Sequence, residues 1–292
     1  MEPVGITYVR MPRTSERFDS LYLSEEANPI LRYSYDEQLI VRSAYNMTYT
    51  NYSQIGRRTM PTVPFRVRSG IEVAGWLPRI ATSHMGAGER ENGRETFFKI
   101  PSSEYVRGDL EFAPMYVFDD KNTIAARVGV GIAYPYGNSI VLPFEKRYFG
   151  GGANSVRGWS TRTLGPGTYD RDSIGSDFGR RVGDVKLDFS VEYRRKMTRL
   201  IELAGFVDAG NIWTIKDYEE QPGGLFEWSD FYKELAVSYG AGIRFDLNFL
   251  LIRVDGGMKA HNPGLPQGSR WTIFKPDFRR DFAFHFAIGY PF

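Results

Sequence analysis

The chain has 292 residues, enough for one large domain or two small ones, with a formal net charge of +2 and a mean hydropathy of −0.37. It has no cysteine, which excludes disulfides, thiolate metal ligands, cysteine nucleophiles and lipidation of a Cys, and its near-neutral balance makes no general case for nucleic acid. No run of about 18 apolar residues occurs, so a transmembrane helix is excluded; a membrane-spanning strand escapes that test because only alternate residues face lipid.

The chain opens Met1-Glu2-Pro3-Val4, with neither a basic n-region nor an apolar h-region, which we read as the start of a fragment of a longer gene. Residues 4–11 alternate and supply one strand; Asn28-Pro29 and the polar residues around it read as an extracellular loop. Period-two alternation then recurs at 38–50, 64–77, 104–118 and 122–134.

At 183–194, Val185, Leu187, Phe189, Val191 and Tyr193 share one face, and Asp184, Lys186, Asp188, Ser190, Glu192 and Arg194 share the other. In 199–212, Ile201, Leu203, Val207 and Ala209 oppose Glu202, Phe206 and Asp208. In 235–247, Leu235, Val237, Tyr239, Ala241, Ile243, Phe245 and Leu247 oppose Ala236, Ser238, Gly240, Gly242, Arg244 and Asp246. A strand at 249–259 follows, and the last, 282–292, sets Phe282, Phe284, Phe286, Ile288, Tyr290 and Phe292 against Ala283, His285, Ala287, Gly289 and Pro291.

Such alternation alone also describes a half-solvated antiparallel sheet. Two features favour a membrane barrel. Most strands reach the roughly 9–11 residues needed to cross a bilayer at a tilt. Connections alternate between short ones (119–121, 195–198, 248) and long ones (78–103, 135–182, 213–234, 260–281), as in outer-membrane barrels with short periplasmic turns and long extracellular loops. The connection 51–63 is intermediate and falls on the periplasmic side, where the C-terminus also ends. The fold class expected is all-β, a transmembrane antiparallel barrel of nine or ten strands, read as one domain over 1–292 with a long inserted loop at 135–182. Trp213, Tyr290 and Phe292 are candidates for interfacial aromatic girdles.

The most informative stretch is Phe144-Glu-Lys-Arg-Tyr-Phe-Gly-Gly-Gly-Ala-Asn-Ser-Val-Arg-Gly-Trp159, continuing through Leu164-Gly165-Pro166-Gly167. Its Val156-Arg157-Gly158-Trp159 resembles the Val-Arg-Gly-aromatic loop motif of the BamA/TamA superfamily, the bacterial surface antigen family. Phe206-Val207-Asp208-Ala209-Gly210 resembles that family's Asp-x-Gly strand, and Glu192 stands where the family has an acidic residue on the preceding strand. The ending, with Phe284, Phe286, Ile288, Gly289 and Phe292, resembles the C-terminal β-signal read by the assembly machinery. The likeness runs from about residue 38 to the end, with four motifs in the expected order.

The resemblance implies the C-terminal portion of a sixteen-strand barrel in the outer membrane of a Gram-negative bacterium, assisting insertion or translocation of proteins. It implies outer-membrane lipids and unfolded outer-membrane protein clients as partners, with assembly-complex subunits engaged through N-terminal POTRA domains. It also implies that the loop folds into the lumen and that Arg157 meets Glu192 and Asp208, which the alternation places on one face of adjacent strands. The alternative function is a passive porin.

No catalytic residue, cofactor or metal site is expected, and no nucleic acid partner. Gly150, Gly151 and Gly152 lack the Gly-Lys-Ser/Thr ending and the helix of a phosphate-binding loop. The run from Asp170 to Asp177 lacks EF-hand spacing and reads as a solvated acidic loop. His84 and His261 fall in long loops, and His285 faces the lumen in a structural role.

Overall fold

The structure, a computed structural model, describes residues 1–10, 15–16, 37–51, 63–85, 88–91, 94–97, 100–169, 179–247 and 249–292. The readings of Asn28-Pro29 and of the run Asp170 to Asp177 lie outside the described residues.

The first strands are β1 (Glu2–Val9), β2 (Gln38–Thr50) and β3 (Phe65–Ala74), followed by helix α1 (Trp76–Met85) and three short strands, β4 (Gly88–Glu91), β5 (Arg94–Phe97) and β6 (Ile100–Pro101). Then come β7 (Tyr105–Val117), β8 (Asn122–Pro135), β9 (Val185–Lys196), β10 (Ile201–Trp213), β11 (Ala236–Asp246) and β12 (Leu251–His261). A single-turn helix α2 (Phe278–Asp281) leads into β13 (Phe282–Ile288). Ten strands form one sheet in the order β1-β2-β3-β7-β8-β9-β10-β11-β12-β13, and β4, β5 and β6 form a second, small one. Pairing is antiparallel from β9 through β13, and among the described residues β1 and β13 stand at the two ends of this order.

The long connection expected at 78–103 holds most of α1 and the small sheet. The strand predicted at 64–77 stops at Ala74 because Gly75 adopts φ +87° and its N–H donates to Val41 O at 2.9 Å, turning the chain into α1. The last strand is likewise shorter than 282–292: it ends at Ile288, where Gly289 takes φ +84°. Tight turns hold the other end of the strands. Asp119 Oδ1 accepts from the N–H groups of Lys121 and Asn122, both at 2.8 Å, and Thr198 Oγ1 accepts from Ile201 N at 3.0 Å.

The chain divides into two compact units, the first comprising Met1–Met47, Ser69–Asp109 and Gly131–Arg147. Its polar centre is Glu72, which accepts from Arg42 Nη1 at 2.7 Å and Tyr105 OH at 2.5 Å and pairs with Lys146 Nζ at 2.8 Å. Ile40 and Val41 of β2 are buried.

The second unit comprises Thr48–Arg68, Leu110–Val130 and Tyr148–Phe292. Its strands reverse the burial of a water-soluble sheet. On β9, Phe189, Val191 and Tyr193 are exposed, while Asp188, Ser190, Glu192 and Arg194 are buried. On β10, Leu203 and Val207 are exposed and Glu202 and Asp208 buried; on β13, Phe284, Phe286 and Ile288 are exposed and His285 is buried. Exposed apolar faces this extensive mark contact with an apolar medium. Strands of 11 to 13 residues in β9 to β12 are long enough to cross a bilayer.

Candidate functional site: a charge layer beneath an inserted loop

Register places the polar face in rows. Ser190, Asp208, Ser238 and Lys259 form one row across β9 to β12, and Glu192, Phe206, Gly240 and Gly257 form the next. Below them run Arg194, Ala204, Gly242 and Asp255, then Lys196, Glu202, Arg244 and Arg253. The two glycines of the second row make space. A Cβ on Gly257 would stand 2.2 Å from Arg157 O, and one on Gly240 would stand 2.5 Å from the Phe206 ring.

The loop that fills this seat is held by its own backbone. Gly152 N donates to Trp159 O at 2.8 Å, Arg162 N donates to Gly150 O at 3.0 Å, and Tyr148 bridges to Gly183. Gly151, at φ +82°, could not carry a side chain, because its Cβ would lie 2.4 Å from Ser160 O. Val156, Trp159 and Leu164 pack with Ala236 in a small apolar cluster, and Gly158 lies against Ser238 and Lys259.

Arg157, 1% exposed, projects from this loop between the strands. Its Nε and Nη2 donate to the two oxygens of Asp208 at 2.7 and 2.8 Å, and its Nη1 donates to Glu192 Oε2 at 2.5 Å. The backbone N–H of Arg157 also donates to Asp208, at 3.1 Å, and the guanidinium lies 3.4 Å from the Phe206 ring centroid. This planar fork satisfies two carboxylates at once, which a lysine ammonium cannot reproduce. Burial alone would lower the pKa of the guanidinium, but Asp208 and then Glu192 raise it above the ordinary arginine value, so the cation is fixed.

The structure thus brings Arg157, Glu192 and Asp208 together, and it adds residues that sequence reasoning missed. Asp255 accepts from Arg244 Nη1 at 2.8 Å and lies 3.2 Å from Arg253 Nε. Arg244 Nη2 donates to Glu192 at 2.8 Å, and Arg194 Nε donates to its other oxygen at 2.7 Å. Arg253 Nη2 donates to Asn154 Oδ1 at 2.7 Å, and Ser155 Oγ to Asp188 at 2.7 Å, tying two more loop positions to the wall. His285 Nε2 is 2.9 Å from Arg157 O. The same alternation that marked Glu192, and that placed His285 in the lumen, would have marked Arg253 and Asp255 as facing the loop.

The C-terminal residues divide into two groups. Phe284, Phe286 and Ile288 point outward along the edge strand. Beyond Gly289 the chain turns inward, so that the Arg194 guanidinium lies 4.4 Å from the Tyr290 ring and 5.3 Å from that of Phe292. Burial pushes the Tyr290 phenol up to about 12. Both rings thus lie over Arg194, a buried residue of the polar face, in place of the outward position expected for an interfacial girdle. Trp213 is not outward either: it is fully buried beneath Phe226 and Phe231, and its Nε1 donates to Glu234 at 2.6 Å. The expected loop position of His84 is corrected to α1, and His261 sits at the end of β12 with Nδ1 at 2.7 Å from Leu235 O. Among the described residues, no group of three or more acidic or histidine side chains could hold a metal ion.

A model of the Omp85 superfamily domain matches residues 23–292. Outer membrane protein assembly factor BamA of Neisseria meningitidis serogroup B is 38% identical over 131 residues, covering 41% of this chain and 16% of that protein. Among solved structures, the crystal structure of BamA from Haemophilus ducreyi lacking POTRA domains 1–3 is similar with a TM-score of 0.54 at 16% identity, over 98% of this chain and 49% of that chain. That likeness shows the fold. The chain spans about half or less of the length of these relatives.

Proposed function

Because the chain belongs to the Omp85 superfamily, whose members reside in the outer membrane of Gram-negative bacteria, we propose that it is the lipid-embedded wall of an assembly factor that helps insert or translocate other outer-membrane proteins. The observation that carries this reading is the loop seat: Arg157 is buried against Glu192 and Asp208 on a wall whose opposite face is apolar and exposed. A pinned loop keeps the polar face rigid beside β13, which among the described residues pairs on one side only and presents its other row of backbone groups as an edge. Such an edge can template an incoming strand through main-chain hydrogen bonds, without covalent chemistry. Arg157, Glu192 and Asp208 act as positioning residues in this scheme, and Phe284, Phe286, Ile288, Gly289 and Phe292 as the terminal signal. Unfolded outer-membrane proteins are the clients, and POTRA domains of the whole protein are the route to partner subunits. A passive channel fits poorly with a charge layer in which Glu192, Asp208, Arg244, Arg253 and Asp255 are all fully buried.

The test is reconstitution of the protein in liposomes with an unfolded model barrel. Faster client folding than in empty liposomes, lost on Arg157→Ala, is the expected result. Unchanged client folding together with large, steady conductance in planar bilayers would refute assembly and establish the channel.

A further inference from the structure

The connection from β12 to β13 exposes an unusual set of side chains. Trp271, Ile273, Phe274 and Phe278 are 58%, 44%, 80% and 67% exposed, and Lys275, Arg279 and Arg280 lie among them. A water-soluble loop has no reason to hold four large apolar groups in solvent.

Two observations say what covers them. The first is continuity with the apolar wall. The Phe278 ring stacks on Phe282 with centroids 4.3 Å apart and planes at 16°. Phe282 in turn lies over Gly256, where a Cβ would stand 3.1 Å from its ring. Gly256 is on the outward side of β12, since its neighbours Asp255 and Gly257 face the loop seat. Phe278 therefore extends the outward column Phe282, Phe284, Phe286 and Ile288 past the end of the strand.

The second observation is charge. Residues 270–281 hold four cations (Arg270, Lys275, Arg279, Arg280) and two carboxylates (Asp277, Asp281), a net of +2. Both carboxylates are used locally. Asp281 takes Arg280 Nε and Nη2, both at 2.8 Å, and Asp277 caps α2 by accepting from Arg279 N at 2.9 Å. Among the described residues, the side chains of Lys275 and Arg279 have no carboxylate partner and are exposed.

We propose that residues 271–280 are an anchor for the outer leaflet, resting on this membrane reading of the wall. Phe274 and Phe278, with Ile273 and Trp271, enter the boundary between headgroups and chains, and Lys275 and Arg279 meet lipid phosphates. The anchor fixes the extracellular end of the edge strand to the lipid, on the side where a client strand would join.

The chain has no cysteine, so single sites can be labelled. Phe274→Cys and, as a reference on the wall, Phe286→Cys would each carry an environment-sensitive fluorophore in vesicles of phosphatidylcholine with or without phosphatidylglycerol. Quenchers would be nitroxide lipids labelled at the headgroup or deep in the chain. The expected result is shallow quenching at position 274, strengthened by the anionic lipid, and deep quenching at 286. Adding Lys275→Gln and Arg279→Gln should abolish the anionic-lipid dependence, and free inorganic phosphate should not compete with it. Quenching at 286 without quenching at 274 overturns the anchor and leaves the membrane reading standing; quenching at neither overturns both. A 274 label that is shielded but unquenched indicates a protein partner and also overturns the anchor.

Discussion

Replacing Arg157 by alanine should release the inserted loop, and the structure sets the size of the effect. Glu192 keeps Arg194 and Arg244, at 2.7 and 2.8 Å, so it loses little. Asp208 loses its cation and keeps the Ser190 hydroxyl at 2.6 Å and the backbone N–H of residue 157. Breaking a buried pair by removing one partner costs about 3–5 kcal/mol. Loss of the guanidinium over Phe206 adds about 1–2 kcal/mol, and water entering the emptied seat offsets a similar amount. The net of about 3–5 kcal/mol shifts the loop equilibrium by at least roughly 150-fold. Amide exchange over 148–169, with tryptic cleavage at Arg162, reads this directly. Because the charge left behind is that of Asp208, the double change Arg157→Ala/Asp208→Asn should be less damaging than Arg157→Ala alone. Exchange within twofold of the parent protein, or a double variant worse than the sum of its parts, would refute the assignment of Asp208 as the group that needs the arginine.

Gly257→Ala removes no charge, yet its methyl would overlap Arg157 O, so loop exchange should rise as it does for Arg157→Ala; an unaffected loop would mean it does not rest on β12. Val191→Arg separates lipid from water: an exposed position in a water-soluble sheet tolerates it within about 0.5 kcal/mol, whereas a lipid-facing one loses about 2–4 kcal/mol near the bilayer midplane, measured by denaturant titration in lipid. Burial raises the pKa of Glu234 against its hydrogen bond from Trp213. A raised folded pKa favours the packed form below the unfolded value and loses that favour as pH rises through the folded one. Protection of the amides at residues 214–226, taken relative to their intrinsic exchange rate at each pH, should therefore fall with rising pH, and Glu234→Gln should remove that fall.

Much of this arrangement was legible because alternation survives translation into three dimensions. Glu192 and Asp208 were readable as sharing a face, since each strand's phase is local and the turn between them is tight. Arg194 and Arg244 were readable as polar-face residues but not as partners of Glu192, because pairing across β9, β10 and β11 depends on a register that no single strand encodes. Trp213 misled for a different reason. Its strand position suggested a rim, but the following connection folds back, with Thr214 N donating to Gly224 O at 2.7 Å, and covers it. Tyr290 and Phe292 misled because the turn at Gly289 reverses the phase after Ile288. The glycine at 75 was the visible signal that β3 stops early, and its left-handed conformation is the reason.

The charge layer also explains why the loop must supply an arginine at that one position. On β9 to β12 the buried Arg194, Arg244 and Arg253 stand among the buried carboxylates Asp188, Glu192, Glu202, Asp208 and Asp255, so counting charges does not say where another cation belongs. Position does. The wall arginines gather around Glu192 and Asp255, and Asp208, one row away, has only hydroxyls from β9 and β11 beside it in register. A buried carboxylate without a cation is costly, and the glycines of the neighbouring row open the space through which one can arrive. Arg157 meets Asp208 with two N–H donors and its own backbone amide, and reaches Glu192 with the remaining arm. The wall is thus incomplete in one place and open in the adjacent one. That pairing selects a loop carrying arginine followed by glycine, because Gly158 must pass within 2.7 Å of Ser238 as measured from the Cβ it lacks.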